Sequence, residues 1–108
     1  MKEFDKAYKL LDRMYRDGYF PDFLVDKVKA LVWDVIAFLE TGEQDTENIQ
    51  AKFDAMTLAI NDLEEEFEAH DSELETEARE SIGETVDYIL QWFHIDIGVE
   101  TAIRERDW

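Results

Sequence analysis

The residues best able to do chemistry crowd into one stretch. Between Asp62 and Glu77 the sequence places nine carboxylates in sixteen positions, Asp62, Glu64, Glu65, Glu66, Glu68, Asp71, Glu73, Glu75 and Glu77, with His70 among them. A calcium loop needs alternating oxygen ligands and a central glycine before a bidentate Glu. This run has no glycine, so no metal ligand is assigned to it. A di-iron bundle needs Glu and His three apart on two helices. Phe67 stands three before His70 and Gln91 three before His94, which excludes that motif. Catalysis by acid–base or nucleophilic chemistry calls for a Ser, His and acid grouping, a glycine-rich phosphate loop or an isolated inward carboxylate, and the sequence shows none of these. His70 falls in a charged turn and His94 at a helix C-terminus, where a partly cationic ring is welcome, so both read as structural. No catalytic residue, metal or cofactor is expected. Spacing alone leaves open that two distant carboxylates meet in the fold.

Binding is the chemistry that remains. The formal charge is −17, and it is uneven: residues 1–42 carry seven basic and eight acidic side chains, a balance of −1, and residues 43–108 carry four and twenty, a balance of −16. Such a surface repels nucleic acid and anionic membranes and attracts basic proteins. Asp62, Glu64, Glu65, Glu66, Glu68, Asp71, Glu73 and Glu75 are therefore the candidate contact residues for a basic protein partner. The plain alternative is a solvated turn, because Asp71 and Glu73 fall at a helix N-terminus that favours anions. Glu64 to Glu68 fall at the C-terminal end of the helix before it, where negative charge is unfavourable, and that argues for binding.

A second candidate is the corner Tyr19-Phe20-Pro21-Asp22-Phe23, with three aromatics in five residues. Aromatics beside a helix start usually pin the entry angle by packing. Tyr19, Phe20 and Phe23 are the candidate patch if the corner instead faces a ligand.

Helices must position both stretches. The central one is Pro21 to Gly42, whose apolar residues cover two flanks and leave only Asp22, Asp26, Lys29, Trp33, Ala37 and Glu40 as a largely polar stripe. Pro21 suits its first turn and Gly42 its stop. Before it, Phe4, Ala7, Tyr8, Leu11, Met14 and Tyr15 recur at helical spacing and predict a first amphipathic helix, broken at Asp17-Gly18. After it, Asp45 or Thr46 caps a third helix, whose seam Ile49, Phe53, Met56, Ile60, Leu63 and Phe67 runs to about Glu68. Ser72-Glu73-Leu74-Glu75 has the capping-box pattern and predicts the start of a fourth, with Leu74, Ala78, Ile82, Val86, Ile89 and Phe93 buried. Gly83 inside it suggests close approach of a neighbouring helix. An apolar loop at His94–Gly98 and a short helix carrying Val99, Ala102 and Ile103 follow. Trp108 needs to bury its ring, and Trp33, out of place on a polar stripe, is the expected neighbour.

The fold class is thus all-α, a four-helix bundle with a short fifth C-terminal helix, in a single domain over 1–108. Absence of cysteine excludes disulfides and thiolate metal sites. With no apolar leader and no long apolar run, a cytoplasmic location is the default.

The blocks Gly18-Tyr19-Phe20-Pro21-Asp22-Phe23-Leu24-Val25-Asp26-Lys27, Leu63-Glu64-Glu65-Glu66-Phe67, Ser72-Glu73-Leu74-Glu75-Thr76, Ile82-Gly83-Glu84 and Arg106-Asp107-Trp108 together resemble a domain-of-unknown-function family of small, acidic, mostly bacterial proteins. The likeness covers nearly the whole chain. It implies that the aromatic turn, the acidic run and the Arg-Asp-Trp segment are family features, and it carries over no activity and no catalytic residue. The expected function is a non-enzymatic acidic module that meets a basic protein, of inhibitor or immunity type. A small-ligand binder or enzyme with a pocket near Tyr19–Phe23 is the first alternative. A structural homodimer with Trp33 or Trp108 in its interface is the second.

Overall fold

The computed structural model describes residues 2–108. Its helices are α1 (Asp12–Arg16), α2 (Asp22–Glu40), α3 (Thr46–Asp62), α4 (Glu64–Ala69), α5 (Thr76–Trp92) and α6 (Val99–Ala102), and among the described residues there is no strand. The all-α expectation holds. Buried residues of α2 come from two flanks, Leu24, Val28 and Val35 on one and Val25, Val32, Ile36 and Leu39 on the other, so the helix takes neighbours on both sides. The α3 helix packs along α2, joined to it by a short loop that only an antiparallel neighbour can use. The α1 helix touches both α2 and α5, and α6 touches both α3 and α5. Short helices thereby fill the angles between the long ones, and their buried apolar side chains join one core cluster.

Four expectations about individual elements are corrected. The helical periodicity from Phe4 onward yields a helix only from Asp12. The preceding segment spends its polar groups on distant partners: Phe4 N–H donates to Glu40 Oε2 at 2.8 Å, Trp92 Nε1–H to the Glu3 carbonyl at 2.9 Å and Tyr88 O–H to Asp5 Oδ2 at 2.6 Å. A lone first helix of that length is marginal in water, and tertiary contacts outbid it. Phe4 ends up buried against Tyr8, Tyr88 and Trp92.

The third helix breaks at Leu63, whose N–H turns to the Ile60 carbonyl at 2.9 Å, before α4 resumes. Glu64, Glu65 and Glu66 therefore sit in a helical first turn, where carboxylates are favoured, and only Glu68 keeps the unfavourable end. Ser72 caps nothing in α5. Asp71 adopts φ 59, Ser72 N–H returns to the Phe67 carbonyl at 2.8 Å and Asp71 N–H to the Glu68 carbonyl at 3.1 Å, a Schellman stop that ties Ser72 to α4. Helix α5 starts later, with Glu75 in the cap position and no side-chain cap bond. Finally, a Cβ built on Gly83 would meet nothing within 4 Å, so close helix approach is not its reason.

Other stops match expectation. Asp45 caps α3, accepting from Glu47 N–H and Asn48 N–H, and Gly42 ends α2 at φ 91. Among the described residues no helix is long and apolar enough to cross a membrane.

Candidate functional site

The Schellman stop at Asp71 folds the acidic run back toward the corner that opens α2. Phe20 is the hinge pin: it is buried, with its ring edge-on to buried Phe67 at 6.3 Å. That makes Phe20 core and removes it from any surface patch. Its neighbours stay out. Tyr19 is 42% exposed and Phe23 49%. Phe23 meets the His70 ring edge-on at 5.0 Å. The Tyr19 phenol lies over the turn after α4: burial, then Glu75 and Glu73, hold it above its usual pKa, while the Ser72 hydroxyl and the Glu73 N–H act in the other direction. Lys27 Nζ closes the seam on Glu66 at 2.7 Å. Two stretches some fifty residues apart thus form one face.

The carboxylates on that face are not alike. Asp62, Glu65, Glu68, Asp71, Glu73 and Glu75 are exposed, and among the described residues none has a cation at ion-pairing distance. Glu66 is committed to Lys27. Glu64 is half-buried, and its Oε1 is buried without a hydrogen-bond partner. Burial first, then Asp107 and Glu68, raise its pKa above the ordinary value.

Elsewhere part of the negative charge is neutralised within the fold. Arg13 of α1 binds Glu77, Glu80 and Glu84 of α5 at 2.8, 2.9 and 2.8 Å, which takes Glu77 out of the acidic run. Hydrogen bonds to Glu77 and Glu84 raise the guanidinium pKa further. Arg104 holds Asp54 at 2.8 Å and Arg106 holds Glu100 at 3.0 Å. The Arg13 network was legible only by half: Glu77, Glu80 and Glu84 share a helix face by spacing, but nothing local names their partner.

Three grooves lie away from the corner. The largest, about 760 Å³, runs between Leu39, Glu43 and Ile49 on one side and Phe93, His94 and Asp96 on the other. A second of about 550 Å³ lies at Tyr8, Arg13, Ser81 and Glu84, and a third of about 540 Å³ at Gln50, Asp54, Asp96 and Arg104. Tyr19, Phe20 and Phe23 line none of these three grooves. In the latter two, Arg13 is tied to Glu84 and Arg104 to Asp54. His94 takes φ 55 because it ends α5, with Ile95 N–H returning to the Leu90 carbonyl at 2.9 Å.

Glu64 supplies a pH prediction. Its folded-state pKa lies above the unfolded value, so the folded chain binds the extra proton and stability rises as pH falls from neutral toward the ordinary carboxylate range near 4. Asp5 and Asp54 run the other way. Asp5 is lowered by the Tyr88 hydroxyl and Ala7 N–H; burial pushes Asp54 up, but Arg104 and Gln50 outweigh it. Their contribution is present near neutrality and is lost below that range. Glu64→Gln is expected to stabilise the protein at neutral pH by about 1 kcal/mol, the low end for a desolvated group without a partner, discounted for its exposed portion. The gain should shrink on mild acidification. Urea midpoints of both proteins across pH check this, and a gain independent of pH would mean that the Glu64 charge is not its source.

A family model described as a family of unknown function (DUF5713) matches residues 4–108. No curated protein and no solved structure matches the chain.

Proposed function

We propose that this chain, which belongs to the DUF5713 family of unknown function, is a non-enzymatic binding protein whose acidic and aromatic corner receives a basic segment of a protein partner. One observation carries the reading: a run with six exposed carboxylates, none ion-paired among the described residues, is folded against a corner with two exposed rings, Tyr19 and Phe23, and its Glu73 and Glu75 act directly on the Tyr19 phenol. A lysine or arginine gains twice at such a face. Carboxylates attract it, and a ring accepts its cation for about 0.5–1 kcal/mol at an exposed site. The rings come at little entropic cost, since Phe23 rests on His70 and Tyr19 on the Ser72 turn.

Reversing the four exposed positions Glu65, Glu68, Glu73 and Glu75 to Lys is expected to weaken capture of an arginine-rich peptide at least tenfold, equivalent to about 1.4 kcal/mol. The control reverses Glu47, Asp87 and Asp96, exposed carboxylates remote from the corner in sequence. Tyr19→Ser with Phe23→Ser should weaken capture without altering net charge. Equal losses for corner and control would reduce the binding to bulk charge and remove the site.

A further inference from the structure

A buried Ser or Thr inside a helix commonly spends its hydroxyl proton on the carbonyl four residues back. Thr57 of α3 does so, donating to the Phe53 carbonyl at 2.7 Å. Ser81 and Thr85 of α5 do not. They are 2% and 1% exposed, yet among the described residues the Ser81 hydroxyl has no hydrogen-bond partner, and Thr85 Oγ1 accepts from Leu11 N–H while its own proton reaches no acceptor. The small part of Ser81 left open includes its Oγ. Both side chains line the groove of about 550 Å³ between α5 and the segment carrying α1. Two buried donors without acceptors thus open on one cavity.

The same groove gathers cations. Lys9 has no carboxylate at ion-pairing distance among the described residues, and Arg16 is paired with Asp12 alone, at 2.8 Å, one carboxylate against a fork of several N–H donors. Arg13 is occupied by its three glutamates. Counting Lys9, Arg13 and Arg16 against Asp12 and Glu84, the lining has a balance of +1 in a chain of −17. Tyr8 completes it, with its ring stacked on Tyr88 at 3.9 Å and thereby fixed. Ser81, Thr85 and Tyr88 follow one stripe of α5, so the Tyr8 ring lies about a turn beyond the two hydroxyls.

We propose that this groove binds a small aromatic carboxylic acid, its carboxylate taken by the Ser81 and Thr85 hydroxyls with Lys9 and its ring laid against Tyr8. The stripe from Ser81 to Tyr88 is about 10 Å long, room for a carboxylate and one ring, and the volume lies within the usual range for small-molecule sites. Charge selects the anion. A carboxylate brings the lining to neutrality, whereas a phosphate monoester carries nearly two negative charges at neutral pH and meets the repulsion of Asp12, Glu84 and the rest of the chain.

Titrating the isotope-labelled full chain with benzoate, benzamide, cyclohexanecarboxylate and inorganic phosphate, read by amide chemical shifts, tests this. Benzoate is expected to give saturable shifts centred on residues 9–16 and 81–88, with benzamide and phosphate at least tenfold weaker and cyclohexanecarboxylate between them. Lys9→Gln and Ser81→Ala should each weaken benzoate at least fivefold, and Ser81→Ala should not lower the melting temperature, since that hydroxyl has no partner to lose. Binding unchanged by Tyr19→Ser with Phe23→Ser separates this site from the corner. Benzamide binding as well as benzoate, phosphate binding more tightly, shifts that never saturate or fall outside both segments, or a benzoate affinity untouched by Lys9→Gln and Ser81→Ala overturns the inference.

Discussion

Replacing Trp108 with alanine is expected to lower the unfolding free energy by about 3 kcal/mol, the bottom of the range for a core aromatic truncated to Ala. The ring is only 5% exposed and belongs to the main core cluster. The residue is also held by its backbone: Arg79 Nε donates to the Trp108 carbonyl at 2.9 Å, Asp107 N–H to Asn61 Oδ1 at 3.0 Å, and Asn61 Nδ2 to the Glu105 carbonyl at 2.7 Å. Two features keep the value low. The indole Nε1 is buried without an acceptor, which costs about 1–3 kcal/mol. Docking also brings Asp107 near half-buried Glu64. Trp108→Phe should therefore cost much less than Trp108→Ala, since it keeps most of the apolar area and removes the orphaned N–H. For a domain of this size the alanine variant should melt on the order of 10 °C lower. Coincident melts for Trp108→Ala and the parent protein would show that the docked ring contributes nothing. A phenylalanine variant as unstable as the alanine one would show that the indole nitrogen has a partner after all.

That residue also marks where sequence reading works and where it stops. Burial of Trp108 followed from the type of side chain, but its expected neighbour did not: Trp33 packs on Phe4, while Arg79 holds the Trp108 carbonyl and Asn61 holds the adjoining Asp107. The long helices were legible because Leu24, Val28, Phe53, Ile60, Ile82 and Ile89 each repeat at helical spacing and bury as that spacing demands. Short-range patterns misled where two structures share one signature. Ser72 three before Glu75 fits a capping box, yet a Schellman stop uses the serine first. Phe4, Leu11 and Met14 fit a helix face, yet they are buried from a largely non-helical segment as well.

The candidate site was legible in its parts and not in its assembly. Both the aromatic corner and the acidic run stood out in composition, while the packing of Phe20 on Phe67 that joins them involves residues 47 positions apart and leaves no local trace. The division of roles within each part was also hidden. Phe20 is core, Glu66 is paired, Glu64 is half-buried, and Glu77 belongs to Arg13. What stays exposed and unpaired among the described residues of the run is narrower than its composition suggested.

The second large effect is expected at Thr85, and it concerns the segment that the periodicity misread. Leu11 adopts φ 57 and ψ 29, a left-handed conformation that costs a residue with a Cβ about 1–2 kcal/mol. Glycine would relieve the backbone, but Leu11 is fully buried and its side chain is part of the core. The strained turn is held by one bond across 74 residues: Leu11 N–H donates to Thr85 Oγ1 at 3.1 Å, in a buried setting. Thr85→Val keeps the side-chain shape and the helix-compatible branching and deletes the acceptor. It leaves a buried N–H unpaired, which costs about 2 kcal/mol, within the range for such groups. Thr85→Ser keeps the hydroxyl and loses one methyl, for about 1 kcal/mol. Denaturant unfolding should rank parent, Ser and Val in that order, and hydrogen exchange should show the Val variant losing protection first over residues 4–16, ahead of α3. A Val variant at least as stable as the Ser variant would mean that the bond does not hold the turn.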